Sequence, residues 1–153
     1  MNELKCVRSG ASSSHYHLQG EDGRLGSLTW LGEARGVALA EVGNKVFVFR
    51  KAGVLRPYIL VETVSETPVA RINVGRSDSA GHLRLSDGRT FEFITDEFLE
   101  WRNDENRTLV RIEGNGADDA PHIPAAYERE SEDIPLLLLV AGLYILKSRK
   151  QQG

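Results

Sequence analysis

The sequence has little of what marks several large classes of protein. It contains one cysteine in 153 residues, Cys6, which excludes an internal disulfide and a zinc site built from several cysteines. Its formal net charge is −3, whereas nucleic-acid-binding domains usually carry a basic excess, so no nucleic-acid partner is predicted. The first ten residues, MNELKCVRSG, hold no apolar run of the kind found in secretory signals. We therefore expect a cytoplasmic location, and a structural, unreactive Cys6.

Sequence motifs for catalysis are also missing. There is no G-x-S-x-G elbow, and the scattered glycines do not form a phosphate loop between a strand and a helix. We predict no catalytic residue, no metal ion and no cofactor. His15 and His17 are the one pair that leaves an alternative open, because residues two apart on a strand share a face and could begin a metal site. A metal-dependent enzyme that uses His15 and His17 is therefore the rival hypothesis.

What the sequence does contain is a regular succession of apolar runs separated by turn signals, which predicts antiparallel hairpins. Alternation such as Leu83 and Leu85 around Arg84 indicates strands with one buried face and one wet face. No strand pattern is followed by a long helical crossover. The clearest strands are predicted at 15–18, 25–31, 37–42, 45–50, 58–64, 69–74, 82–85, 89–94, 98–102 and 108–112. Residues 4–8 and a stretch near 117–127 bring the count to eleven or twelve.

The end of the chain differs from everything before it. Residues 134–146, within SEDIPLLLLVAGLYILKSRK, form an uncharged run with apolar side chains on every helical face. Thirteen helical residues span about 20 Å, whereas a bilayer core of about 30 Å needs about 20 apolar residues. Gly142 indicates a close contact with a neighbouring element. A helix of this kind needs a protein interior that surrounds it, and a tail-anchored membrane protein with a β-rich cytoplasmic head is the alternative.

A closed sheet supplies that interior. Barrel diameter grows with strand number, and about twelve strands leave a lumen that a central helix can fill. The prediction is a mainly β fold, a closed antiparallel barrel of about twelve strands around a central hydrophobic C-terminal helix. Residues 1–153 would form this single domain, with strands at about 4–127 and the helix at about 133–149.

This layout, with the stretch Asp133-Ile134-Pro135-Leu136-Leu137-Leu138-Leu139, resembles the tubby C-terminal-like superfamily over about residues 4–150. That group includes tubby domains, phospholipid scramblases, plant LURP-one-related proteins and small bacterial members. The resemblance implies the same helix-filled barrel. It also implies phospholipid or membrane binding, since tubby domains bind phosphoinositides and scramblases are linked to membranes and calcium. A calcium loop starting at Glu128 fails here, because Asp133 stands where glycine is needed and Leu139 where glutamate is needed.

One group of basic residues is the candidate ligand site. Lys45, Arg50, Lys51 and Arg56 occur around one hairpin exit, and anionic headgroups attract such residues by about 1 kcal/mol each near a membrane surface. Charges that keep a strand edge soluble are the plainer explanation. We predict a non-catalytic domain that binds phospholipid headgroups, a membrane surface or a protein partner, and that is cytoplasmic or peripheral at the membrane.

Overall fold

The computed structural model describes residues 1–9, 15–32, 36–75, 79–113, 122–130 and 133–152, with side chains as far as residue 148. Within these residues there are twelve strands and one helix. The strands are β1 (Asn2–Arg8), β2 (His15–Gly20), β3 (Gly23–Gly32), β4 (Val37–Val42), β5 (Lys45–Ala52), β6 (Tyr58–Thr63), β7 (Pro68–Val74), β8 (Ala80–Leu85), β9 (Thr90–Thr95), β10 (Phe98–Arg102), β11 (Thr108–Glu113) and β12 (His122–Tyr127), and the helix is α1 (Ile134–Gln152).

The strands form a closed antiparallel barrel in which each strand pairs with its neighbours in sequence and β12 returns to β1. The predicted barrel is confirmed. Its hairpins are short because the turn residues suit them: Gly43 adopts a φ of 60° and lets Val42 pair directly with Lys45. The short strand predicted near 117–127 is β12 at His122–Tyr127, and residues 117–121 lie outside the described residues.

Alternation along the strands divides the barrel into an apolar lumen and a polar outer wall. In β8 and β9, Leu83, Leu85, Phe91 and Phe93 are buried, whereas the residues between them are exposed. The same period of two runs through most of the other strands, because successive side chains of a strand point to opposite faces of its sheet; β6 and β11 each bury one consecutive pair. The lumen is therefore lined by apolar side chains, which are stable only if an apolar element excludes water from it.

Helix α1 supplies that filling. Leu138, Leu139, Leu143 and Tyr144 have no exposed surface, and the buried run extends from Leu136 to Leu146. The helix starts one residue later than predicted and continues to residue 152, because Lys, Arg and Gln are good helix formers after the apolar segment ends. No helix in the described part of the chain has both the length and the hydrophobicity needed to cross a membrane.

Gly142 sets how closely the helix approaches the wall. A Cβ added there would lie 2.8 Å from Cδ1 of Ile112, 2.9 Å from Cδ2 of Leu99 and 3.0 Å from Nε1 of Trp101. These distances are shorter than ordinary van der Waals contact, so only glycine fits unless the side chains of Ile112, Leu99 and Trp101 shift. The close contact expected at Gly142 is confirmed.

The barrel has two distinct ends. At the near end, where α1 begins, a Cβ added to Gly43 in the β4–β5 turn would lie 2.7 Å from a carboxylate oxygen of Asp133. At the far end, Gly36 before β4 accepts a hydrogen bond from the hydroxyl of Tyr144. Because consecutive strands run in opposite directions, the β4–β5 and β6–β7 turns lie at the near end, and the β5–β6 loop lies at the far end.

Candidate functional site

The structure divides the four predicted ligand residues between three places. Lys45 begins β5 at the near end, whereas Lys51 and Arg56 lie at the far end, beside and within the β5–β6 loop. Lys51 is six steps along the strand from Lys45, which corresponds to about 20 Å. Arg50 lies on the outer wall between them. The four residues therefore do not form one patch, and each position has its own surroundings.

Arg50 is engaged by an acid of the barrel wall. Its Nε donates a hydrogen bond of 2.6 Å to Oε1 of Glu62, whose side chain is only 10% exposed. This hydrogen bond raises the pKa of Arg50 above its usual value. A charge committed in this way contributes less to attracting an external anion than a free guanidinium does.

Lys45 stands at the rim of a near-end cavity of about 600 Å³ between the start of α1 and the wall. The apolar lining consists of Val42, Phe47, Val69, Leu85, Ile134 and Leu137. The rim also carries Asp133 and an ion pair between Arg89 and Asp87. Positive and negative groups balance around this opening, so its electrostatics favour no ligand charge.

The far-end loop between β5 and β6 has the most unusual surface. Val54 and Leu55 stand at its tip and are each 95% exposed. Gly53, at a φ of 81°, makes the bend; a Cβ there would lie 2.7 Å from the main-chain oxygen of Arg56, so other residues are disfavoured. Two neighbouring aliphatic side chains are thus exposed to water. Transfer of either one into an apolar environment would be favourable.

Basic residues flank this tip on both sides. Lys51 is an exposed residue near the end of β5, before the bend. Arg56 follows Leu55 directly. The methylene groups of the Lys51 side chain lie beside Gly36, where an added Cβ would be 3.2 Å from Cδ. Leu31, near the far end of β3, adds another exposed aliphatic side chain. We call residues 51–56, with Val54 and Leu55 at their centre, the aliphatic tip.

The sequence signal for this feature is weak but present. The prediction recognised Lys51 and Arg56 as basic residues and missed the two side chains between them. Val54 and Leu55 lie between Gly53 and Pro57, both of which are typical of a connection rather than a strand. Adjacent large aliphatic residues in a turn depart from the usual polar composition of turns, and that departure could have marked the loop.

His15 and His17 share the outer face of β2, as the spacing predicts, but they bind different neighbours. Nδ1 of His15 lies 2.6 Å from Oγ1 of Thr29, and Nε2 lies 3.2 Å from a guanidinium nitrogen of Arg24. Since Arg24 can only donate, Nε2 accepts and the proton sits on Nδ1. Burial, followed by the charge of Arg24, lowers the pKa of His15, which agrees with a neutral ring.

The second histidine makes a separate contact: Nδ1 of His17 lies 3.0 Å from Oγ of Ser9. Across the described ranges, no three His, Cys, Asp or Glu side chains converge as metal ligands would.

Cys6 is completely buried, and this burial raises its pKa to about 12. The thiol therefore stays protonated in the core, as expected for a structural cysteine.

The fold defines the class of this protein as a twelve-stranded antiparallel barrel filled by its own C-terminal helix. Comparisons with models of protein families, with curated proteins and with solved structures found no match. The resemblance to the tubby C-terminal-like superfamily thus stays a prediction.

Proposed function

We propose that this protein is a non-catalytic barrel domain that docks reversibly on anionic membrane surfaces through the aliphatic tip. The observation that carries the proposal is the near-complete exposure of Val54 and Leu55 between Lys51 and Arg56. Aliphatic side chains at a loop tip enter the acyl region of a bilayer, while flanking cations remain among the headgroups. Membrane docking makes use of both features of this loop at once.

The energies fit a weak, peripheral attachment. Transfer of Val54 and Leu55 out of water stabilises the bound state by at most about 1.5–3 kcal/mol each. Lys51 and Arg56 each add about 1 kcal/mol next to anionic lipid. The upper total of about 5–8 kcal/mol is comparable to a single acyl anchor, which binds membranes reversibly. Salt should weaken the electrostatic part, because exposed charges are screened over about 8 Å at physiological ionic strength.

The fold supports this mode of attachment over insertion of the C-terminal helix. The apolar side chains of α1 are already covered by the strands, so an anchor built from α1 would require the barrel to open and expose its lumen. Surface charge alone would account for Lys51 and Arg56 but would leave Val54 and Leu55 unexplained. Docking through the aliphatic tip requires no change in the barrel.

The test is vesicle co-sedimentation of the full chain with phosphatidylcholine vesicles, with and without phosphatidylserine. We expect binding only with phosphatidylserine, and a loss of at least about tenfold in the double variant Val54→Asp/Leu55→Asp. The single variants Val54→Asp and Leu55→Asp are compared with Val64→Asp, which adds the same one negative charge at the near end, since Val64 is 67% exposed in the β6–β7 turn. Vesicles that carry a phosphoinositide instead of phosphatidylserine measure any headgroup preference.

The charged flank is tested in the same way. Lys51→Glu/Arg56→Glu should bind at least about tenfold more weakly, and Lys45→Glu at the near end should stay within about twofold of the parent chain. The residues changed at the tip are exposed, so melting temperatures should hardly move. Absence of binding at low salt, or equal losses in the near-end controls, would remove the proposal.

A further inference from the structure

The outer wall carries a pair of arginines that the membrane proposal does not use. Arg71 of β7 and Arg84 of β8 are directly opposite each other in the register of the two strands. Directly opposite residues on neighbouring strands have Cβ atoms about 5 Å apart, and two like charges at such positions destabilise the sheet. A pair of this kind persists in a stable sheet at an energetic cost.

Several other arginines, on the wall or in the turns, are paired with a carboxylate. Such pairs within the described residues are Arg50–Glu62, Arg89–Asp87, Arg102–Glu100, Arg111–Glu100 and Arg107–Glu128. Neither Arg71 nor Arg84 forms an ion pair with any residue that the structure describes. Glu92 of β9 is opposite His82, one diagonal step from Arg84, and stays outside ion-pair distance. Among the described residues, these two adjacent positive charges are therefore not compensated by an ion pair.

Neutral groups hold Arg71 in place. Its guanidinium carbon lies 3.7 Å from the centroid of the Tyr58 ring, and its Nε lies 3.4 Å from Oδ1 of Asn73. The amide of Asn73 in turn lies 3.4 Å from Nε2 of His82. A ring and an amide orient the guanidinium without cancelling its charge. Its remaining N–H groups stay available for a carboxylate, for which the planar fork is the matching geometry.

The surface around the pair is a groove of about 560 Å³ that also contains apolar positions. Leu60 and Pro68 line it together with Arg71, His82 and Arg84. In the register of β5 to β8, the outer row runs Arg50, Leu60, Arg71, Arg84. At about 4.8 Å per strand the row is about 14 Å long, which an extended segment of about four residues covers.

We propose that this row, which we call the arginine wall, binds an extended acidic peptide segment of a partner protein. Carboxylates of that segment occupy Arg71 and Arg84, and an apolar side chain at the next position on the same face of the segment, on the Arg71 side, rests on Leu60 and Pro68. An acidic segment is favoured because its carboxylates complement the two arginines and because Leu60 provides an apolar position beside them. The wall lies on the side of the barrel, whereas the aliphatic tip lies at its far end, so a protein docked by the tip still presents the wall to a soluble partner.

The experiment is fluorescence anisotropy of the full chain with a labelled peptide whose alternate residues are leucine, glutamate and glutamate, with serine between them, and with a counterpart that has lysine in place of glutamate. Successive side chains of an extended segment point to opposite faces, so this spacing places the leucine and both glutamates on one face. We expect binding of the acidic peptide alone. Arg71→Gln and Arg84→Gln should each weaken it by about tenfold, the loss of one charge-assisted contact. Arg84→Lys, which keeps the charge and loses the fork, should be intermediate. Lys45→Gln removes the same charge at the near end and should change affinity by less than about twofold.

Three results would overturn the proposal. One is no binding of the acidic peptide at low salt. Another is an equal loss in Lys45→Gln, which would indicate attraction by net charge alone. The third comes from vesicles: if Arg71→Gln/Arg84→Gln lowers phosphatidylserine-vesicle binding as much as Val54→Asp/Leu55→Asp does, the wall is part of a membrane site. If the arginine variants lose peptide binding but keep vesicle binding, the peptide site and membrane docking are independent, and either proposal can fail without the other.

Discussion

Tyr144 of α1 stacks on Trp30 of β3, with ring centroids 4.7 Å apart and planes inclined by 23°. The Tyr144 hydroxyl donates a hydrogen bond to the main-chain oxygen of Gly36. The ring thus fills the far end of the lumen, and its one polar atom is satisfied inside an apolar core. The helix and the wall are consequently one packed unit, which makes helix substitutions informative about the whole barrel.

The tight contact at Gly142 predicts an inverted effect of Gly142→Ala. In an exposed helix this change is stabilising by about 1 kcal/mol. Here the methyl group meets β10 and β11 at 2.8–3.0 Å, and overpacking costs about 1–3 kcal/mol. We expect a net loss of up to about 2 kcal/mol in the free energy of unfolding, measured in urea.

Ile112→Val supplies the control for Gly142→Ala, because it removes the Cδ1 atom that lies nearest to the added methyl group. Alone it should cost about 0.5–1.5 kcal/mol. In the Gly142→Ala background it should cost less, which gives a favourable coupling energy in a double-mutant cycle. Strict additivity of the two changes would show that the contact does not limit the packing.

Leu138→Lys should abolish folding. Leu138 has no exposed surface at the centre of the barrel, and an ammonium group there would have no partner in an apolar environment. Leu138→Met, of similar volume, should cost less than about 1.5 kcal/mol. Circular dichroism and size-exclusion chromatography distinguish the two outcomes. A folded Leu138→Lys chain would contradict the burial of the helix.

Stability should fall at alkaline pH because of two buried groups. Burial raises the pKa of Cys6 from 9.0 to about 12, and that of Tyr144 from 10.0 to about 12. Above about pH 9 the unfolded chain releases protons that the folded chain retains, so the unfolded state gains stability as pH rises toward 12. Urea midpoints at about pH 8 and about pH 11 measure this difference.

Cys6→Ala isolates the contribution of the thiol. At neutral pH the stability of this variant differs from that of the parent chain only through packing. Between about pH 8 and about pH 11 its free energy of unfolding should decline less steeply than that of the parent chain. Iodoacetamide should label Cys6 only after unfolding, since the thiolate is the reactive form. Rapid labelling of the native protein would contradict a protonated, buried thiol.

Arg50 and Arg56 should respond differently to the same change. Arg50→Met leaves the nearly buried carboxylate of Glu62 without its partner, whereas Arg56→Met alters an exposed loop position. Because the Arg50 side chain is 44% exposed and its charge is screened, we expect a loss of only about 1 kcal/mol, against less than about 0.5 for Arg56. Adding Glu62→Gln should recover part of the Arg50→Met deficit in thermal or urea unfolding.

The basic residues illustrate where prediction from sequence stops. Lys45 and Lys51 are close in sequence, but a strand places them at opposite ends of the barrel. Arg71 and Arg84 are far apart in sequence, yet the β7–β8 register makes them neighbours. Sequence proximity indicates charge density along the chain, and only strand pairing determines which charges meet in space.

The sequence by itself determined the barrel and the fate of its helix. Alternation with a period of two and a short helix that is apolar on every face are local patterns, and each has few ways of leaving water. The tertiary structure alone decided how exposed Val54 and Leu55 are, which acid holds Arg50 and where the uncompensated arginines face. These features depend on loop bends and on register between strands, which link residues that no local pattern connects.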